Sequence, residues 1–286
     1  MSRLRRPLAL AAVAAGALAL AACAGSGQAV RQPGSAVVTV PTSVSNAYLV
    51  LGSDGRVVVV DPGPPGAERR LAEALAEHGR AWSDVSLVVL THGHADHAGA
   101  AAAVAAASGA PVLAGAGDLP LLEAGHHGRL EPQGFEARMI LPFLDAAFPP
   151  VRPSLLLAAA PGQSSLGLQP YGVDGVAILA PGHTPGSLVV VLDGAAGREA
   201  LVGDAFRGGV LGGRIDAGTP HRHYFHEDAG RAEGVVDALL AQGVGRFYLG
   251  HGGPVTAEAA RARFGAAAEH TASGAVGGPV AGAPLR

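Results

Sequence analysis

Four side chains that bind metal ions lie within six residues, about a third of the way along the chain. They are His92, His94, Asp96 and His97, in the stretch from Thr91 to Gly99. Imidazole and carboxylate groups are ligands of borderline divalent metals such as Zn²⁺. A tight turn can direct His92 and His94 at one ion, while Asp96 and His97 face a neighbouring position. The spacing favours a metal centre over the alternative, a polar His-rich surface loop.

The elements on either side of this stretch predict how it is held. The apolar, β-branched run Val85–Leu90 predicts a buried strand, and the alanine-rich run Ala100–Ala107 predicts a helix. The four groups then lie on a turn between the end of a strand and the start of a helix. Such a turn is held rigidly by the scaffold.

The stretch resembles the metal-binding signature of the metallo-β-lactamase fold superfamily, and the resemblance continues from about residue 36 to residue 265 in the family's order. Further segments look like the family's opening strands, third histidine, bridging aspartate and last histidine; they are Asn46–Val50, Val57–Gly63, Pro181–Ser187, Leu201–Asp204 and Leu249–Pro254.

The resemblance implies a site for two divalent metal ions, Zn²⁺ being favoured over Mn²⁺ or Fe²⁺. It implies that His92, His94 and His183 hold the first ion, that Asp96, His97 and His251 hold the second, and that Asp204 bridges them. A bridging carboxylate and a shared hydroxide hold two such ions about 3.5–4 Å apart. The hydroxide would attack a carbonyl or phosphoryl centre. Asp96 and Asp204 are the carboxylates expected to take part in catalysis.

The resemblance and the hydrophobic pattern predict the same α/β fold, a four-layer αββα sandwich. The pattern predicts an opening β-meander, a helix over Ala67–His78, further strands at the metal motifs, a helix over Ala229–Ala241 and a last helix starting at Thr256. Every predicted ligand then follows a strand. Residues 115–165 are rich in proline and glycine without a clear period, and form either a wall or lid over the site or an irregular packed connection.

Asp204 narrows the expected chemistry. The dedicated β-lactamases of this fold lack a bridging aspartate at that position, whereas its glyoxalase II-like thioesterases, lactonases and phosphodiesterases have one. The resemblance therefore implies a hydrolase of a small-molecule ester, thioester or lactone, with a phosphoester as a further option. The alternatives are a mononuclear-iron sulfur dioxygenase, a β-lactamase and a non-catalytic binding lipoprotein.

Other polar residues are candidates for supporting roles. Arg207, His223 and Tyr224 follow the bridging aspartate and are predicted to contact substrate, the alternative being a polar loop that packs on its own aromatic rings. Asp61 and Asp84 are predicted to orient ligand histidines, the alternative being ordinary turn and capping chemistry.

The N-terminus predicts export and a lipid anchor. Residues 1–23 combine three arginines, an uncharged apolar run and a lipobox-like ending at Cys23, the only cysteine. Lipidation of Cys23 would tether the protein to the cell envelope; a plain signal peptide is the alternative, and the paired arginines leave twin-arginine export open. Residues 24–35 then form a flexible tether, 36–270 the folded domain and 271–286 a disordered tail.

Composition excludes one class of partner. The chain has no lysine, and after residue 23 it has 17 arginines against 23 acidic residues, a formal charge of −6. Nucleic-acid binding normally requires a basic surface. The expected partners are therefore a small-molecule substrate and a membrane, not nucleic acid.

Overall fold

Two six-stranded β-sheets are built by successive parts of the chain. The computed structural model describes residues 35–144, 147–194 and 197–265. The first sheet keeps its strands in chain order, antiparallel up to β3 and parallel afterwards. Its strands are β1 (Ala36–Pro41), β2 (Asn46–Leu51), β3 (Val57–Val60), β4 (Val85–Val89), β5 (Val112–Gly115) and β6 (Leu155–Leu157).

The second sheet has the strand order β14-β13-β10-β9-β8-β7 and is antiparallel except for the pair β10 and β13. Its strands are β7 (Ser165–Gly167), β8 (Gly175–Leu179), β9 (Leu188–Gly194), β10 (Gly197–Leu201), β13 (Val244–Tyr248) and β14 (Val255–Thr256). A separate hairpin is formed by β11 (Arg207–Val210) and β12 (Ile215–His221).

Seven α-helices accompany the sheets in the described ranges. They are α1 (Glu68–Glu77), α2 (Ala95–Ala98), α3 (Ala101–Ser108), α4 (Leu119–Ala124), α5 (Phe135–Ile140), α6 (Ala229–Ala241) and α7 (Ala257–Phe264). The side chains of Asp228 and Thr256 cap α6 and α7 by accepting hydrogen bonds from the amides of Arg231 and Ala259.

Strand alternation divides the apolar residues among three cores. In β3, Val57 and Val59 face the helices, while Val58 and Val60 face the other sheet. The outer core of the first sheet includes Leu71 of α1 and Val104 of α3, and that of the second sheet includes residues of α6 and α7. The order helix, sheet, sheet, helix confirms the predicted four-layer αββα sandwich.

Helix α6 has the predicted bounds, and most predicted strands agree within one or two residues. The β11–β12 hairpin was not predicted, because its glycine-rich sequence lacks the alternation that marks a half-buried strand. The metal motif also differs from the predicted turn, since Asp96 and His97 belong to the short helix α2.

Several sequence-based predictions fall on residues outside the described ranges. These are the signal peptide at 1–23, the lipidation of Cys23, the tether up to residue 34 and the tail at 271–286. Among the helices in the described ranges, none has the length and apolar character needed to cross a membrane.

Candidate metal centre

All seven predicted ligands lie at one edge of the sandwich. His92 to His97 follow β4 of the first sheet, while His183, Asp204 and His251 follow β8, β10 and β13 of the second. These three strands run in the same direction, so their carboxyl ends meet at one edge. The ligands from the two sheets therefore approach one site from opposite sides.

The first predicted ligand group comes together as a set of three imidazoles. The ligand atoms of His92, His94 and His183 lie within 4.8 Å of one another. Nδ1 of His94 lies 3.1 Å from Nε2 of His183. The His92 ring meets the other two edge-on, at centroid distances of 4.6 and 4.5 Å.

The second predicted group is also assembled. The ligand atoms of Asp96, His97 and His251 lie within 4.8 Å of one another. Oδ2 of Asp96 is 3.2 Å from Nε2 of His251 and 3.6 Å from Nε2 of His97. This group combines two imidazoles with one carboxylate, whereas the first has imidazoles alone.

Asp204 lies between the two groups. Its Oδ2 atom is 3.7 Å from Nε2 of both His92 and His183, and 3.4 Å from Nε2 of both His97 and His251. Bonds of about 2.0–2.2 Å at tetrahedral angles put the ligand atoms of one ion about 3.3–3.6 Å apart. The observed spacing is therefore that of ligands around a shared cation. Gly250, the residue before His251, permits this approach, because a Cβ there would collide with Asp204 Oδ1 and the His97 ring.

Acceptors behind the imidazoles fix which ring nitrogen faces the centre. The Nδ1 atoms of His97, His183 and His251 donate to Asp61 Oδ2, the Phe225 carbonyl and the Val44 carbonyl, at 2.9, 2.7 and 2.9 Å. A neutral imidazole that donates through Nδ1 keeps its lone pair on Nε2. When neutral, all three rings thus present a metal-binding lone pair to the centre.

Asp61 takes the position expected of an orienting group. Its carboxylate accepts hydrogen bonds from the Thr91 amide and hydroxyl, at 2.7 and 2.6 Å, as well as from His97. The Thr91 hydroxyl in turn lies 3.0 Å from Nδ1 of His92. Asp61 has φ = 52°, a left-handed conformation that costs free energy for a residue other than glycine and is frequent at functional sites.

The corresponding prediction for Asp84 is wrong. Asp84 precedes β4, at the end of the strand opposite the ligands, and its carboxylate accepts a hydrogen bond from the Ala81 amide at 2.8 Å. This is the capping chemistry that was the alternative interpretation.

Asp118 is a supporting residue that the sequence analysis did not identify. Its buried carboxylate accepts hydrogen bonds from the amides of Gly93 and Gly186 and from the Thr184 hydroxyl, each at 2.8 Å. It therefore joins the loop of His92 and His94 to the loop of His183. Its position just after β5, at the same edge as the other ligand loops, was the available signal.

The two ligand groups differ in their proton affinity. Burial and the neighbouring imidazoles hold the pKa values of His92 and His183 well below the usual range, and burial lowers the pKa of His94 to about 4. Burial opposes a charge on His97 and His251 too, yet nearby carboxylates raise the pKa of His97 well above its usual value and that of His251 to about 10. The rings of the first group are therefore neutral and can bind a cation directly, whereas His97 and His251 would have to lose protons before binding one.

The donor set fits divalent metal ions. Within the described residues, Nε2 of His92, Nε2 of His97 and Oδ1 of Asp204 are buried polar atoms without a hydrogen-bond partner. Leaving such atoms unpaired costs free energy. A bound cation removes that cost, and nitrogen and oxygen donors of this kind suit zinc and related ions.

A cavity of about 920 Å³ opens above this edge. His94, Asp96, Asp204 and His251 line it on the metal side, and the segment at 115–165 contributes a largely apolar wall. That wall consists of His127, Leu130, Ile140, Leu144 and Ala147. The same segment buries Leu122 and Val151 in the core, so it is both a wall of the cavity and a packed connection.

The three residues predicted to contact substrate do not all lie at the cavity surface. Tyr224 and His223 line the cavity, although Nε2 of His223 faces Asp204 at 3.1 Å. Arg207 is buried behind Tyr224, with its guanidinium carbon 4.0 Å from the centre of the Tyr224 ring and one nitrogen donating to the Gly209 carbonyl. Arg207 supports the cavity wall, which corrects the prediction of a direct substrate contact.

Two sequence relatives share parts of this chain. It is 34% identical to the hydroxyacylglutathione hydrolase of Anaeromyxobacter dehalogenans (strain 2CP-C) over 177 residues, which are 62% of this chain and 52% of that protein. It is 40% identical to metallo-beta-lactamase domain-containing protein 1 of Mus musculus over 89 residues, 26% of this chain and 34% of that protein. The chain thus spans about half of the first relative and about a third of the second.

Solved structures share the fold. The Rm3 metallo-beta-lactamase superposes with a TM-score of 0.57 at 19% identity, over 85% of this chain and 92% of its own. BJP-1, a subclass B3 metallo-beta-lactamase of Bradyrhizobium japonicum, superposes with a TM-score of 0.52 at 19% identity, over 87% of this chain and 83% of its own. The family model described as the metallo-beta-lactamase superfamily matches residues 40–251, from β1 to the last predicted ligand. By this match over most of its length, the chain belongs to the metallo-β-lactamase superfamily.

Proposed function

We propose that this protein is a hydrolase with two divalent metal ions, most favourably Zn²⁺, that cleaves an ester, thioester or lactone of a small molecule. The observation that carries the proposal is the position of Asp204. Its Oδ2 atom lies 3.4–3.7 Å from imidazole nitrogens of both ligand groups. A carboxylate that faces two complete groups at once suits a pair of ions better than one.

Once bound at such a site, divalent ions would lower the pKa of coordinated water towards neutrality and would polarise a carbonyl or phosphoryl oxygen. The chain's own residues supply the rest. Asp61 and the Phe225 and Val44 carbonyls orient the rings through Nδ1. Asp96 is partly exposed at the cavity, so its carboxylate would hold an ion of the second group and also face bound substrate.

The cavity wall indicates the kind of substrate. Val44, Leu130, Ile140, Leu144 and Leu211 line the cavity, and among the described residues that line it Arg214 is the only arginine. A glutathione thioester carries two free carboxylates, for which this wall offers little positive charge. Although one relative is named a hydroxyacylglutathione hydrolase, the wall favours a neutral compound with an apolar acyl group or ring.

The decisive experiment measures metal content and hydrolysis on the domain from residue 24 onward. About two Zn²⁺ or Mn²⁺ per chain, together with cleavage of a panel of esters, thioesters and lactones, supports the proposal. Asp204→Ala should lose metal and activity together. One iron per chain with oxygen uptake would instead indicate a sulfur dioxygenase, and cleavage confined to β-lactams a β-lactamase. An active protein without metal, or none of these activities, would overturn the hydrolase.

We also propose that the protein is exported and anchored by lipidation of Cys23, on the grounds of the leader sequence alone. Expression of the full chain with labelled palmitate tests this. Label should enter the wild type and not Cys23→Ser, and the variant should leave the membrane fraction. Unlabelled wild-type protein that is soluble after export would contradict the anchor and favour a plain signal peptide.

A further inference from the structure

An eighth group faces the centre, although the family resemblance gave it no part in metal binding. Nε2 of His223 lies 3.1 Å from Oδ2 of Asp204. This is shorter than the distance from that oxygen to Nε2 of His97 or His251, which is 3.4 Å, or of His92 or His183, which is 3.7 Å. The ligand atoms of His183, Asp204 and His223 also lie within 4.8 Å of one another.

The ring of His223 lies between the two predicted ligand groups. It meets the His183 ring edge-on with centroids 4.8 Å apart, and it stacks on the His251 ring with centroids 5.4 Å apart and planes inclined by 26°. The side chain is buried apart from 6% of its surface. It reaches Asp204 from the cavity side, next to one histidine of each group.

One carbonyl orients His223 and a predicted ligand in the same way. The Phe225 carbonyl accepts from Nδ1 of His183 at 2.7 Å and lies 3.1 Å from Nδ1 of His223. With its proton on Nδ1, the His223 ring presents an Nε2 lone pair to a carboxylate oxygen. Two lone pairs at this distance repel each other unless a cation lies beside both.

A competing arrangement exists for the same ring. The Phe225 amide lies 3.3 Å from Nδ1 of His223 and could donate to it, which would leave the proton on Nε2 for a hydrogen bond to Asp204. The contact with the carbonyl is the shorter of the two. The shorter contact favours the tautomer with the proton on Nδ1, as in His183.

We propose that His223 is an eighth metal ligand of this centre, acting through Nε2 beside Asp204 and His183. The inference rests on the proposed metal-dependent function. It changes the role of His223 from substrate contact to part of the metal-binding set. The chain then brings six imidazoles and two carboxylates to one site.

His223→Ala tests the proposal, with His226→Ala as the matched control. His226 lies in the same loop, is 2% exposed, and has its ring centroid 5.4 Å from that of His183, yet it belongs to none of the ligand groups formed by the described residues. Competition with a chromophoric chelator should show at least a tenfold loss of affinity for one of the bound ions in His223→Ala, and little change in His226→Ala. The visible spectrum of the Co²⁺-loaded protein should change in the first variant alone.

Added imidazole provides a further readout. It should restore the wild-type Co²⁺ spectrum of His223→Ala, because it can occupy the vacated position, whereas a loop-packing defect would not respond. If His223→Ala has the metal affinity and Co²⁺ spectrum of the wild type but a raised KM, His223 contacts substrate and is not a metal ligand. Matching losses in both variants would indicate packing. In either case the proposed function still holds if the wild type binds metal and hydrolyses esters. Only a wild type that binds no metal would contradict both the proposed function and the role of His223.

Discussion

Two aspartates beside parallel strands show how residue chemistry depends on strand direction. Asp61 follows β3 and Asp84 precedes β4, and these strands run parallel. Only the carboxyl end faces the ligands, so Asp61 reaches His97 and Thr91 while Asp84 caps a turn. Residue type and sequence neighbourhood suggested the same orienting role for both aspartates, and the direction of the strands separated them.

Asp61→Asn should weaken metal binding without unfolding the protein. The amide has one acceptor oxygen in place of the carboxylate that holds both Thr91 and His97, so the His97 ring loses its fixed orientation. Loss of such partners typically costs about 10–100-fold in metal affinity. Chelator competition measures it, with circular dichroism for the fold. Asp84→Asn is the control at the other end of the strand, and equal affinities in the two variants would contradict the role of Asp61.

At the scale of elements, the sequence predicted those with a strong pattern and missed those held by tertiary contacts. The valine-rich strands and helix α6 have regular periodicity, and the ligands that follow the strands could be located with them. The β11–β12 hairpin and α5 have no such pattern, because their place depends on packing over the cavity. The supporting role of Asp118 and the inward position of His223 were not predicted for the same reason, because both depend on loops that meet only after folding.

The apolar wall of the cavity, to which α5 contributes Ile140, should control which substrates bind well. Ile140 lines the cavity, whereas the neighbouring Met139 is 56% exposed and is not among the lining residues. Ile140→Glu should raise KM for a long-chain ester roughly tenfold or more, because a buried contact of one aliphatic side chain contributes about 1.5–3 kcal/mol. It should have little effect on an acetate ester.

Met139→Glu serves as the control for charge on the same helix. We expect it to match the wild type on both esters in a steady-state kinetic comparison. If both variants raise KM to the same extent, the long-chain group lies outside the cavity.

At the scale of the whole molecule, the centre joins the two sheets. Four ligands follow a strand of the first sheet and three follow strands of the second, and Asp118 connects a loop from each. Because a ligand that binds only the native state stabilises it by mass action, bound metal should raise the melting temperature of the entire sandwich.

This stabilisation should grow as pH rises from 6 to 9. In the metal-free protein the carboxylates raise the pKa of His251 to about 10 and that of His97 well above its usual value. The protonated rings therefore stabilise the metal-free fold fully below the unfolded pKa of about 6.5, and that contribution is lost as pH rises through the folded pKa. Metal binding must displace these protons, so affinity increases by up to roughly tenfold per pH unit for each proton released.

Calorimetric melting with and without Zn²⁺ across this pH range measures the effect. His251→Ala removes one of the two protonated rings, so its metal-dependent shift in melting temperature should vary less with pH. A wild-type shift that is constant from pH 6 to 9 would contradict the predicted proton release.

The spread of ligands along the chain also bears on how the protein is made. His251 is synthesised 159 residues after His92 (251 − 92), so the centre cannot form on a nascent chain that still lacks β13. Metal is therefore acquired where folding finishes. A chain exported unfolded would load outside the cytoplasm, and a chain exported folded would load within it. The metal found in protein isolated from its native cell would then report the compartment in which the sandwich closed.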